Sequence, residues 1–121
     1  MGKDPQGMVA MNAKLGIVTQ AWSPLGSGGH GSDDILSGNL TTGIAAAHNV
    51  STAQVALKYL VDKGAAIVTK SSNPEHLAED VDLWSWDLTA DEIAALDDDS
   101  AAAGDAPSFE CDNQASLALA V

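Results

Sequence analysis

The sequence predicts an α/β protein built on parallel strands, and three observations carry that reading. Strand-like and helix-like segments alternate along the chain. The two strand-like segments, 17–21 and 65–69, are short and mostly apolar. The second shows no polar alternation, as expected of a strand buried on both faces of a parallel sheet. The segments between and after them carry helix start and stop signals. The resulting order is βαβα with right-handed crossovers.

Each element has its own local justification. Residues 8–15 read as the last turns of a helix, with Gly16 as its stop. Ile17, Val18, Thr19, Gln20 and Ala21 form the first strand, which Pro24 ends because proline cannot donate to a ladder. A Gly/Ser loop runs from Gly26 to about Asp34. Leu36, Leu40, Ile44 and Ala47 then follow a helical spacing, weakened by Gly38 and Gly43. Asn49 and Val50 interrupt it.

Ser51 and Gln54 make a capping box that opens a new helix. It carries Val55, Tyr59 and Leu60 inward and stops at Gly64, after a Lys63 that suits the dipole. The strand 65–69 follows and ends at a polar loop, Lys70 to Ser72. Asn73 caps the next helix with Pro74 at its first position, and Leu77 and Val81 form its inner stripe. Leu83 to Trp86 is an aromatic corner. Thr89 and Glu92 form a second capping box, opening a helix with Ile93 and Leu96 inside. Asp97, Asp98 and Asp99 end that helix badly, since acids repel the carboxyl end of the dipole.

At 121 residues the chain fits one domain, and 45% apolar with 18% charged residues makes it neither disordered nor membrane-like in composition. Two parallel strands alone leave unpaired edges, so these elements read as part of a larger sheet that favours self-association or pairing with a missing part. Five Lys+Arg against 17 Asp+Glu give a net charge of −12, which argues against nucleic acid. The imbalance is lopsided. All five lysines lie in residues 1–70, whereas residues 71–121 hold 13 acidic residues and no Lys or Arg. Lys70 is the last cation.

One cysteine, Cys111, excludes an internal disulfide and a cysteine-based metal cluster. No apolar run reaches membrane-spanning length, and the N-terminus lacks a signal-peptide core. The expected location is cytoplasmic, with no membrane partner.

Three motifs bear on function. Gly26 to Gly31 spells G-x-G-x-x-G, but no acid lies between Ile35 and Val61 to hold a ribose hydroxyl, so a flexible loop is the better reading. Lys70, Ser71, Ser72, Asn73 and Pro74 place a cation and hydroxyls at a strand end running into a capped helix, the makings of an anion site. Spacing alone favours a plain capped turn with a solvated lysine. Trp22, at the other strand end, offers a stacking face, though a lone aromatic more often seals a core rim. The two strand ends together say more than either, because both would open on the same edge of a parallel sheet, where such folds bind ligands.

Four ordered blocks resemble the aldo-keto reductase family: Gly16–Gly26 (GIVTQAWSPLG), Ser51–Leu60 (STAQVALKYL), Ile67–Asp80 (IVTKSSNPEHLAED) and Leu83–Ile93 (LWSWDLTADEI). The last is similar to that family's closing segment. The resemblance runs from about Met8 to Leu96. It implies part of a (β/α)8 TIM barrel, with the two strands as barrel strands 7 and 8 and residues 1–97 as the C-terminal portion. Residues 98–121 are then an acidic, Ala/Asp-rich tail expected to be flexible.

The resemblance further implies an oxidoreductase that uses NADP(H) to reduce aldehydes and ketones. Trp22 would stack on the nicotinamide, and Ser23, Leu25 and Ser27 would lie along the pyrophosphate and ribose. Lys70, Ser71, Ser72 and Asn73 would meet the adenosine 2′-phosphate end, with Glu79 and Asp80 toward the adenine. Two positions depart from the family pattern: His76 stands where arginine is usual, and Asp80 where asparagine is usual. Both weaken phosphate binding and leave NADP against NAD open. The family's catalytic Asp, Tyr, Lys and His belong to earlier strands. Tyr59, His30 and His48 match none of them, so no catalytic residue is assigned and the isolated chain is expected to be inactive. The alternatives are a non-catalytic nucleotide-binding or regulatory module, or a scaffold whose acidic tail mediates protein interaction.

Overall fold

The computed structural model describes residues 7–26 and 32–98. The G-x-G-x-x-G loop beyond Gly26, Ser27 within it, and the tail from Asp99 onward lie outside the described residues.

Helix α1 (Met8–Lys14) starts from Gly7, which adopts a left-handed φ of 66°. Asn12 ties it to the first strand, its side-chain amide donating to the Thr19 hydroxyl at 3.0 Å. Strand β1 (Thr19–Ala21) is shorter than expected. Ile17 and Val18 precede it and are exposed.

The single helix expected around residues 36–47 is two helices, α2 (Ser32–Ser37) and α3 (Asn39–His48), so α2 begins inside the expected loop. The break is Gly38, which takes an extended φ/ψ of −61°/144° as the N-cap of α3. That bend resets the helical phase. Thr41, Ile44 and Ala45 face inward, and Ala47 is exposed.

Helix α4 (Thr52–Asp62) is the centre of the molecule, packing against α2, α3, α5 and the second strand. Its capping box forms as expected: the Gln54 N–H donates to Ser51 Oγ at 3.2 Å, and the Ser51 N–H to Gln54 Oε1 at 3.0 Å. Six consecutive residues, Gln54 to Tyr59, are buried, a wider face than a simple stripe, and Leu60 is only partly so. Gly64 then reverses the chain with φ +86°, a conformation that L side chains rarely adopt.

Strand β2 (Ala65–Ile67) pairs with β1 in parallel, with Thr19 opposite Ala65 and Ala21 opposite Ile67. The expectation of burial on both faces is not met: Gln20 and Ala66 are exposed, as is Val68 just beyond. β2 packs against α4 on one side, and no described element covers the other. The inner stripe expected of helix α5 (Pro74–Val81) is corrected for the same reason, since Leu77 and Val81 are exposed.

The aromatic corner splits: Trp84 is exposed, whereas Trp86 packs beside His48 with ring centroids 5.2 Å apart. Helix α6 (Ala90–Asp98) opens on its capping box, the Glu92 N–H donating to Thr89 Oγ1 at 3.2 Å. Its core gathers Ile44, Ala45, Val55, Tyr59, Leu88 and Leu96 between α3, α4 and α6. Leu96, fully buried there, contributes about 2 kcal/mol. The acidic end of α6 is better compensated than expected, because Lys63 Nζ donates to both Asp97 oxygens at 2.9 and 3.0 Å.

Candidate functional site

The C-terminal ends of β1 and β2 open on one edge, as parallel pairing dictates, and the chain leaves each by a polar turn. After β1, the Gly26 N–H donates to the Ser23 carbonyl at 2.8 Å, closing a tight turn. Ser23 sits at φ 49° and Gly26 at φ 79°. A left-handed serine costs roughly 1 kcal/mol or more, strain that tends to gather where a chain is shaped for a ligand. The turn leaves Trp22 87% exposed, so this tryptophan does not seal a core rim. Its ring is free to be stacked upon.

After β2, the turn folds on itself. The Asn73 N–H donates to Ser71 Oγ at 3.0 Å, and the Glu75 N–H to Asn73 Oδ1 at 3.0 Å. Asn73 and Pro74 therefore do what the sequence expects at the start of α5, but the cap occupies part of the helix terminus that an anion would use. The first-turn His76 N–H has no acceptor among the described residues.

Between these turns lies a cavity of about 640 Å³, within the usual range for small-molecule sites. From the first strand end it is lined by Trp22, Ser23, Pro24, Leu25 and Gly26. Thr69, Lys70 and Ser71 line it from the second, and His76, Glu79 and Asp80 from α5. Eight of the expected site residues thus meet around one space. Ser72 and Asn73 do not line it. Ser72 is exposed and Asn73 is spent on the cap.

Sequence reasoning missed one wall. Ser51, Thr52 and Ala53 at the start of α4, with Leu36 of α2, also line the cavity. The signal was available: a helix that crosses back between parallel strands runs antiparallel to them, bringing its N-terminus to the strands' C-terminal edge.

The other polar clusters fasten helices together away from the cavity. Lys58 is 4% exposed, and its Nζ donates to Asp87 Oδ1 at 3.0 Å, with Asp62 at 3.4 Å. Burial depresses the ammonium, but these carboxylates outweigh it and raise the pKa above the ordinary lysine value. Burial also raises the Tyr59 phenol, reinforced by the hydrogen bond that its hydroxyl donates to Asp97. Tyr59 is 2% exposed, so its phenol is closed to any substrate. Among the described residues, no group of His, Cys, Asp or Glu could hold a metal, and no helix is long and apolar enough to cross a membrane.

The sequence profile described as "Aldo/keto reductase family" matches residues 2–100. The chain belongs to the aldo/keto reductase family. An aldo-keto reductase of Mycolicibacterium vanbaalenii is 41% identical over 88 residues, covering 73% of this chain and 30% of that protein. Morphine 6-dehydrogenase of Pseudomonas putida is 36% identical over 99 residues, covering 75% of this chain and 33% of that protein. Among solved structures, the Bombyx mori aldo-keto reductase in complex with NADP superposes with a TM-score of 0.65 at 33% identity, covering 78% of this chain and 33% of that one. This aldo/keto reductase chain therefore spans about 30% of the length of the curated relatives it matches. Its two parallel strands and their helices match part of the family's barrel.

Proposed function

We propose that this chain is the C-terminal, cofactor-binding portion of an aldo/keto reductase barrel, that β1 and β2 are barrel strands 7 and 8, and that the strand-end cavity takes NADP(H). Residues 1–97 form that portion and residues 98–121 a separate acidic tail. The observation that carries the reading is the cavity itself, which gathers Trp22, Ser23, Leu25, Lys70, Ser71, His76, Glu79 and Asp80 from three separate elements. The solved relative with NADP supports the same choice of ligand.

The donor set fits a dinucleotide. Trp22 presents a flat exposed ring for stacking on the nicotinamide, and Ser23 and Leu25 flank the pyrophosphate and ribose; Ser27, assigned there by resemblance, lies outside the described residues. Lys70 and Ser71 supply a point charge and a hydroxyl for the adenosine phosphate end, and Glu79 and Asp80 accept from the adenosine side. Lys70 has no carboxylate within 4.0 Å among the described residues, unlike Lys58 and Lys63, so its charge is available. Ser72 and Asn73 act by shaping the turn.

When bound, NADPH supplies the hydride that reduces an aldehyde or ketone to an alcohol; this chain supplies binding and orientation. No catalytic residue is assigned to it. In a complete barrel the proton donor and its partners come from earlier strands. Calorimetric titration of NADPH into the 121-residue chain tests the reading. Saturable binding is expected, weakened roughly tenfold by Lys70→Ala through loss of a charge-assisted contact. No heat of binding, or equal affinity in the variant, speaks against it.

A further inference from the structure

The two-stranded sheet is covered on one face only. From Val18 to Trp22 and from Gly64 to Lys70, exposed and half-buried residues alternate without a break. The half-buried residues of β2, Ala65 and Ile67, belong to the side that packs on α4. The parallel register sets Gln20 beside Ala66, so the exposed residues of both segments share the other face. That face is Val18, Gln20 and Trp22 along one line and Ala66, Val68 and Lys70 along the next. Val18, Trp22 and Val68 are 76%, 87% and 60% exposed.

The chemistry of this face selects its occupant. Residues 16–22 and 64–70 hold no Asp or Glu, in a chain whose net charge is −12. Two copies meeting through α5 or α6 would oppose acidic helices, whereas two copies meeting through the sheet would not. Gln20 lies in the middle of the face, and its side-chain amide makes no hydrogen bond to a described residue. An amide both donates and accepts, so it can satisfy its own copy across a two-fold axis, as an isologous interface requires. The strands are three residues long, so their edges offer few ladder bonds and the face is the stronger surface. Roughly 100 Å² for each aliphatic side chain and about 200 Å² for the tryptophan bring the buried surface to the order of 1,000 Å² over both copies. That is the lower end for a specific interface, and it suits a dissociation constant on the order of micromolar.

We propose that this face is the contact between two copies of the chain, stacked sheet on sheet about a two-fold axis with Gln20 meeting Gln20. Gln20 and Val68 also line the cavity, so the second copy supplies the cavity with an outer wall. The inference stands apart from the choice of ligand in that cavity.

Sedimentation equilibrium of the 121-residue chain at neutral pH, between roughly 1 and 200 μM, tests it. The mass should rise from the 12.3 kDa of one chain to twice that value and no further. Val18→Lys brings an unpaired ammonium into the contact, and Gln20→Glu opposes two carboxylates on the axis. Each should weaken the dimer roughly tenfold or more. Both positions are exposed in the single copy, so circular dichroism should show the fold kept. Val81→Lys adds the same charge at a 71% exposed valine of α5, outside this face, and should leave the dissociation constant unchanged. A single-chain mass across the whole range, or growth beyond two copies, overturns the proposal. So does a dimer undiminished in Val18→Lys and Gln20→Glu, or one weakened equally by Val81→Lys.

Discussion

His48 Nε2 lies 2.8 Å from Oε1 and 3.0 Å from Oε2 of Glu92, joining the end of α3 to the first turn of α6 across 44 residues. The same carboxylate closes the Thr89 capping box, accepting from the Thr89 N–H and hydroxyl at 2.8 Å each. Burial raises the Glu92 carboxyl, but the Thr89 donors and His48 outweigh it and hold the pKa below the ordinary glutamate value. One side chain thus starts a helix and docks it.

Glu92→Ala should therefore cost about 1–2 kcal/mol at neutral pH, for the lost cap and the lost pairing. A depressed folded-state pKa means stability that is present above the ordinary glutamate value and disappears as pH falls through the lower, folded one. Urea midpoints of wild type and variant should differ at pH 7 and converge in acid.

Lys58 runs the opposite way. Its raised pKa gives stability that is full below the ordinary lysine value and is lost as pH rises through the folded one. Lys58→Ala should cost about 1–3 kcal/mol, combining the lost pair with the lost packing of its stem. The cost stays modest because the partner Asp87 is 91% exposed. Alkaline unfolding followed by circular dichroism should narrow the gap between the two proteins.

Two glycines should respond to alanine with opposite signs. Neither would place a Cβ within 4 Å of another atom, so backbone conformation alone decides. Gly64 needs φ +86°, and Gly64→Ala should destabilise by roughly 1–2 kcal/mol. Gly43 lies within α3 with no positive φ, and Gly43→Ala should stabilise by roughly 0.5–1 kcal/mol. Thermal melts of both variants read this directly.

The chain contains one tyrosine, so its ultraviolet titration reports Tyr59 alone. Burial and the Asp97 hydrogen bond raise the phenol above the ordinary value. Tyrosinate absorbance should appear only at the pH where circular dichroism shows unfolding. Ionisation at the usual phenol value in the folded chain would contradict the buried Tyr59–Asp97 contact.

What the sequence disclosed follows from how far each interaction reaches. The boxes at Ser51–Gln54 and Thr89–Glu92 and the Asn73–Pro74 cap close within four residues, so composition at fixed spacing reveals them. The Gly38 break was hidden because Leu36 and Leu40 keep a helical spacing across it. The buried position of Lys58 leaves no local signal, because its partner Asp87 lies 29 residues on. Ile17, Val18, Leu77 and Val81 show the converse limit: apolar character states a preference for burial, not what lies against the side chain. The cavity was legible through its two strand ends, which parallel pairing brings together. Its third wall at Ser51 follows only from the direction of the crossover helix, since the serine's spacing to Gln54 signals a cap and nothing more.

The cofactor claim meets its most direct test in tryptophan emission as NADPH is added. Of the three tryptophans, Trp22 lines the cavity and is exposed, while Trp84 and Trp86 do not line it. Saturable quenching is expected in the 121-residue chain, with most of it lost in Trp22→Phe. No saturable quenching up to about 1 mM NADPH, or equal quenching in the variant, would contradict a dinucleotide site at these strand ends.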